Sequence, residues 1–260
     1  MAKEYHRGEE FREKPNWYFS GEYEIVSFKR NSEGKIENVP GNLYAILLNA
    51  YPREHSQNIT INYLGLLNQG VNKNNIFVLE GEGIGLCVDL PATRAGLETA
   101  ISSIKDKIKS NDRLYFHVTN HGGINEKGLS EVNLYNDKID EADFSRLVRD
   151  INCNFGVFYF SQCHSGGFAE TIARENEDFI GISNARKSRL SRRREVTVFT
   201  PPLINKLFET GTTVWDAFLD AADKTDPEDS PQLYFRNANP MKLSLFPKKE
   251  DLKGNWEGER

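Results

Sequence analysis

Two apolar segments of the sequence end in a reactive side chain followed by glycine. Arg113-Leu114-Tyr115-Phe116-His117-Val118-Thr119 runs into Asn120-His121-Gly122-Gly123. Gly156-Val157-Phe158-Tyr159-Phe160-Ser161 runs into Gln162-Cys163-His164-Ser165-Gly166-Gly167. A cysteine thiolate is a strong nucleophile, and a neighbouring imidazole supplies or stabilises it. Glycine lets the chain turn sharply and lets a substrate approach the backbone. The turn after Cys163 opens a helix, where unpaired backbone N–H groups collect. The N–H groups of Cys163 and Gly122 are therefore candidates for holding the oxyanion of a tetrahedral intermediate. The chemistry this points to is acyl transfer, with Cys163 as nucleophile and His121 as base.

For that chemistry the two side chains must meet in space. They lie 42 positions apart, which one crossover helix between two parallel strands accounts for. The flanking pattern agrees. Short apolar runs at 43–49, 76–79, 113–119, 156–161, 179–183 and 232–235 read as strands. Helices are expected at 57–69, 91–108, 140–151, 167–175, 202–210 and 214–222. Strands alternating with helices predict an α/β fold, a three-layer sandwich with a mostly parallel central sheet of about six strands. Sites in such sheets lie beyond the carboxyl ends of the strands. The segments to inspect are 49–56, 120–128, 161–168 and 183–200.

The other cysteines and histidines read differently. Cys87 lies in a glycine-rich loop and Cys153 precedes a strand, so both are read as structural. His117 alternates with Tyr115 inside a strand and is expected to pack. His164 adjoins Cys163 and is an alternative base, although neighbours on a tight turn usually diverge. It forms no metal set with the thiol, because two further ligands at a suitable spacing are missing.

The chain has 260 residues, with 33 Lys+Arg against 38 Asp+Glu, a net charge of -5 and a pI of about 5.7. That balance disfavours nucleic acid as a partner. Three cysteines exclude a disulfide scaffold and suit a reducing compartment. No stretch approaches the roughly 20 apolar residues that span a bilayer, and the N-terminus has no apolar signal core. A cytoplasmic location without membrane association is expected. Residues 1–42 read as an N-terminal extension, with a possible edge hairpin around Tyr23–Phe28 and a turn at Asn31–Lys35, and 43–260 as the main domain.

At these residues the sequence resembles the caspase-like cysteine peptidases, the group of caspases, metacaspases, legumains and gingipains. Tyr115–Gly122 is similar to the legumain-type His block. Phe158–Gly167 is similar to the legumain block and to the metacaspase Cys-His-Ser-Gly block. The resemblance covers about 43–246, including Val198-Phe199-Thr200 ahead of a helix. It implies a cysteine endopeptidase with His121 as base, Cys163 as nucleophile, Gly122 in the oxyanion hole, a protein or peptide substrate and no cofactor. It also implies a primary specificity pocket drawing on Arg53, Glu54 and His55 after the first strand, on Ser161, and on Ser183 and Asn184. Metacaspases and legumains carry an acidic residue where this chain has Ser161, and caspases a Gln. Arg53 suits an acidic P1 side chain and Glu54 a basic one, so the P1 preference stays open. Some metacaspases depend on calcium; here the acidic residues Asp220, Asp223, Asp226, Glu228 and Asp229 are read as a solvated loop.

The most biased stretch is Arg186-Lys187-Ser188-Arg189-Leu190-Ser191-Arg192-Arg193-Arg194, with six basic residues of nine. It follows the fifth strand directly, so it is expected to hang over the site. One reading is a solvated charged loop. The other, implied by the family, is an activation loop cut by the enzyme itself or by another protease, at Arg186, Lys187, Arg189, Arg192, Arg193 or Arg194. A regulatory protein is a further expected partner. The rival functions are a non-catalytic scaffold of the same fold and another thiol-dependent amidase or acyltransferase.

Overall fold

A computed structural model describes residues 16–19, 24–27, 36–85, 87–188, 199–225 and 230–252. The Asn31–Lys35 turn, Arg189, Arg192, Arg193, Arg194, Asp226, Glu228 and Asp229 lie outside the described residues.

The chain begins with β1 (Asn16–Phe19) and β2 (Glu24–Ser27), followed by β3 (Leu43–Asn49), α1 (Pro52–Asn68), β4 (Ile76–Glu80) and α2 (Arg94–Lys105). Then come β5 (Arg113–Val118), β6 (Gly122–Ile124), β7 (Ser130–Leu134), β8 (Asp137–Asp140) and α3 (Glu141–Val148). The last elements are β9 (Phe155–Phe160), α4 (Gly166–Glu175), β10 (Phe179–Ser183), α5 (Thr200–Leu207), α6 (Val214–Asp223) and β11 (Gln232–Phe235).

The expected three-layer α/β sandwich is present. Six strands in the order β11-β10-β9-β5-β3-β4 form its sheet, and β2 and β1 continue it to eight. All neighbours in the six are parallel except β10 and β11. The β1–β2 hairpin is antiparallel, and β2 joins β11 in parallel. The central strands are buried on both faces, which explains why they read as unbroken apolar runs. On one face Tyr115, Val157, Tyr159 and Ile182 pack against α1, α5 and α6. On the other, Phe116, Phe158 and Phe160 pack against α2, α3 and α4. Successive strand residues alternate between these two cores, so every odd-numbered side chain of β5 and β9 faces α1.

Three local expectations are corrected. The first helix starts at Pro52 rather than at residue 57, because Pro52 occupies its first turn, where proline is favoured. The stretch Pro52–Glu54 is exposed and so carries no apolar period. Consequently Arg53, Glu54 and His55 stand on a helical turn, not in a loop. The second helix starts at Arg94, not Pro91, because the Thr93 hydroxyl caps it by accepting the Gly96 N–H at 3.1 Å. Between His121 and α3 the chain builds a three-stranded antiparallel sheet, β6-β7-β8, where only an open strand end was expected.

Candidate active site

The β5–β9 pairing sets the geometry. Arg113 faces Phe155 and Val118 faces Phe160, an offset equal to that between His121 and Cys163. The last ladder bond runs from the Ser161 N–H to the Val118 carbonyl at 2.9 Å. His121 and Cys163 therefore leave adjacent parallel strands at the same height. Its contacts with Tyr51, Glu54 and His55 put His121 on the α1 side of the sheet. Cys163 is partly exposed and forms no disulfide.

His121 is held from the α1 side. Its Nε2 lies 2.9 Å from Glu54 Oε2, and its ring meets Tyr51 and His55 edge-on at 4.9 and 5.3 Å between centroids. The His121 side chain is 32% exposed and that of Glu54 49%. Glu54 sits in the first turn of α1, where the helix dipole favours a carboxylate. The new sheet holds the backbone. The His121 carbonyl accepts the Asn133 N–H at 3.0 Å, and Gly122 lies opposite Val132. That is the non-hydrogen-bonded type of antiparallel pair, so the Gly122 N–H is directed off the ladder, away from β7. Gly122 also presses on the cysteine turn. A Cβ added to it would lie 2.5 Å from the Cys163 carbonyl oxygen and 2.7 Å from Gln162 Cγ.

The turn bearing Cys163 is clamped as well. His164 adopts a left-handed backbone with φ 58. Its Nδ1 donates to the Lys187 carbonyl at 2.7 Å, and its own carbonyl accepts the Ser130 hydroxyl at 2.8 Å. His164 is thus turned to the 185–187 segment, which weakens it as an alternative base. His117 is fully buried. Asn62 donates to His117 Nδ1 at 2.9 Å, and Asn62 Oδ1 in turn accepts the Tyr115 hydroxyl at 2.7 Å. The imidazole proton therefore sits on Nε2, 3.2 Å from Ser161 Oγ, and Ser161 donates to the Val118 carbonyl. Burial, with the charge of His55 adding to it, lowers the His117 pKa to about 3. It is a neutral packing residue, stacked on Tyr159 at 4.6 Å, as its position in the strand predicted.

Cys153 is buried, and burial pushes its thiol well above the usual range. It is inert, as read from the sequence; Cys87 is exposed in its loop.

No family model matches the sequence, and no curated protein does. Among solved structures, the chain is similar to the crystal structure of protein GSU0716 from Geobacter sulfurreducens. The two share 14% identity at a TM-score of 0.60, over 79% of this chain and 98% of that one. The likeness is one of fold.

The pocket residues implied by the sequence divide into two groups. Arg53 and Glu54 border an open groove of about 500 Å³, walled opposite by Glu82, Ile84 and Tyr135. The Tyr135 hydroxyl donates to the Glu82 carboxylate across it. Ser161, Ser183 and Asn184 do not line it; they are at most 6% exposed. Ser161 belongs to the His117 network. Asn184 accepts the Ser165 hydroxyl at 3.0 Å and donates to the Ser161 carbonyl at 3.3 Å, so it braces the cysteine turn from below.

The root of the basic stretch is anchored rather than hanging free. Lys187 Nζ reaches Glu141 Oε1 at 2.6 Å, and Glu141 is a buried carboxylate that also accepts the Ser130 N–H at 3.0 Å. Among the described residues no helix is long and apolar enough to cross a membrane.

Glu54, His55 and His121 also converge in a way the sequence did not disclose. One ligand-type atom from each lies within 4.8 Å of the others. No sequence spacing announces this set, because α1 brings Glu54 and His55 across to the end of β5.

Proposed function

We propose that the protein is a cysteine endopeptidase of the caspase-like type, acting on protein or peptide substrates through Cys163 and His121. The observation that carries this is the shared register: a thiol and an imidazole leave adjacent parallel strands at equal height, with Gly122 packed against the cysteine backbone. In the reaction His121 takes the thiol proton and the thiolate attacks the scissile carbonyl carbon. The Gly122 N–H, off the β6–β7 ladder, is suited to the resulting oxyanion. His121 then gives the proton to the leaving amine, which leaves a thioester on Cys163. Water, deprotonated by His121, hydrolyses the thioester and restores the thiol. Glu54, 2.9 Å from His121, supports the imidazolium that forms in both halves.

The open groove beside Glu54 offers carboxylates from Glu54 and Glu82, which favours a basic P1 residue over the acidic alternative that Arg53 alone suggested. Activating cleavage in the basic stretch fits that preference, and the Lys187–Glu141 tie favours a cut on the far side of Lys187. The low cysteine count fits a reducing compartment, the cytoplasm.

The test is a P1-scanned peptide library with a peptidyl electrophile, applied to wild type, Cys163→Ala and His121→Ala. The expected result is turnover and Cys163 labelling in wild type alone, with all three chains folded. Turnover by Cys163→Ala overturns the proposal. Labelling of Cys163 without cleavage of any peptide replaces endopeptidase with another thiol amidase or acyltransferase.

A further inference from the structure

We infer that Glu54, His55 and His121 form a binding site for one divalent transition ion of the Zn²⁺ class. The donor set is two imidazoles and a carboxylate, which suits Zn²⁺ or Co²⁺ better than the all-oxygen cations. The geometry is close to what the ion needs. Ligand atoms around a tetrahedral ion at about 2.1 Å stand roughly 3.4 Å apart. Here they are within 4.8 Å of one another, and the Glu54–His121 pair is already at 2.9 Å. Rotation of the exposed Glu54 side chain and of half-exposed His121 closes the rest.

His55 supplies the independent sign. Its Nε2 is shielded from solvent and makes no hydrogen bond. An unpartnered buried nitrogen is costly, and a ligated ion offsets that cost. The Cys163 sulfur is not part of the cluster. A fourth position is left open for water. On binding, the ion takes the place of the hydrogen bond between His121 Nε2 and Glu54 Oε2.

One consequence rests on the peptidase reading. An ion ligated by His121 removes the base from the dyad, so Zn²⁺ inhibits turnover reversibly and a chelator restores it.

Binding is measured apart from activity, by equilibrium dialysis of the full chain with Zn²⁺ and by visible spectra with Co²⁺. One ion per chain is expected. Glu54→Gln and His55→Ala should each weaken binding tenfold or more, while Cys163→Ala binds within threefold of wild type. Absence of stoichiometric binding overturns the site. So does affinity unchanged in both variants, or a thiolate-to-cobalt band that disappears in Cys163→Ala. Glu54→Gln alters an exposed side chain, so it keeps the test valid if His55→Ala fails to fold. If Zn²⁺ binds but no peptide is cleaved, the site stands and the peptidase reading falls. If peptides are cleaved and the Zn²⁺ concentration for half-inhibition is the same in His55→Ala, the blocking role is wrong.

Discussion

Gly122→Ala tests the proposed catalytic geometry by moving one half of it against the other. The added Cβ would stand 2.5 Å from the Cys163 carbonyl oxygen, 2.7 Å from Gln162 Cγ and 3.0 Å from the Glu131 carbonyl oxygen. Two of these three contacts are backbone, so no side-chain rotation relieves them. Backing off from 2.5 Å to an ordinary 3.4 Å contact separates the His121 and Cys163 turns by about 0.9 Å. A 1 Å misplacement of reacting groups costs on the order of 100-fold in rate, or about 2.7 kcal/mol. The fold should survive, since overpacking of this kind costs about 1–3 kcal/mol. Gly123→Ala is the matched control. Its Cβ meets only the Glu131 side chain, at 3.5 Å and beyond. The assay is peptide turnover and the rate of Cys163 labelling, with thermal melts of both variants. The expected result is a loss near 100-fold for Gly122→Ala and less than threefold for Gly123→Ala. Near-wild-type turnover by a folded Gly122→Ala chain would refute the claim that the two turns are held in contact for catalysis.

Two further outcomes follow from buried charge. His117 has a pKa of about 3 in the fold against 6.5 when exposed, so the unfolded chain binds the extra proton. The stability its neutral form confers is complete above pH 6.5 and is lost as pH falls toward 3, by about 1.4 kcal/mol per unit. Unfolding free energies from urea titrations at pH 7 and pH 5 should therefore differ by about 2 kcal/mol less in His117→Gln than in wild type, and equal differences would remove His117 as the cause. Glu141→Gln breaks the 2.6 Å tie to Lys187. Because Lys187 is 38% exposed, the stability loss should be only about 1–2 kcal/mol, but trypsin should cut after Arg186 or Lys187 several-fold faster, and an unchanged rate would show that the tie does not hold the root of the basic stretch.

The framework of the site was legible because it is written in short-range pattern. β5 and β9 are buried on both faces, so each appears as an apolar run, and the residue ending each run stands out. What supports those residues was not legible, because it depends on long-range pairing. Glu54 is 67 positions from His121, and no period links them. Ser161 looked available beside Cys163, yet its hydroxyl is taken by His117 and Val118 once β5 and β9 are paired. The β6–β8 sheet escaped notice because its strands are three to five residues long and alternate too briefly to register. Its hairpin turn uses Asn136 at φ 62, a common role for Asn that leaves only a faint trace in sequence.

Glu54 is where these lines meet, and they demand more of one carboxylate than it can give at once. It bonds His121 at 2.9 Å, borders the open groove, and completes the proposed ion site. A cationic P1 side chain in the groove and a Zn²⁺ ion on His121 would both draw on the single Glu54 carboxylate. Two ligands that require one group exclude each other, and the exclusion is reciprocal. Zn²⁺ inhibition should therefore be competitive with a substrate carrying Arg or Lys at P1: added substrate raises the half-inhibiting Zn²⁺ concentration in proportion. Glu54→Gln should weaken both effects together. It should raise KM for the basic substrate and weaken Zn²⁺ binding, while lowering kcat through the lost support of the His121 imidazolium by roughly tenfold, as suits one half-exposed charge-assisted bond. Noncompetitive inhibition, or a Glu54→Gln chain whose KM for a basic substrate is unchanged, would separate the ion site from the specificity groove. The P1 preference would then have to be assigned to Glu82, the other acidic wall of the groove.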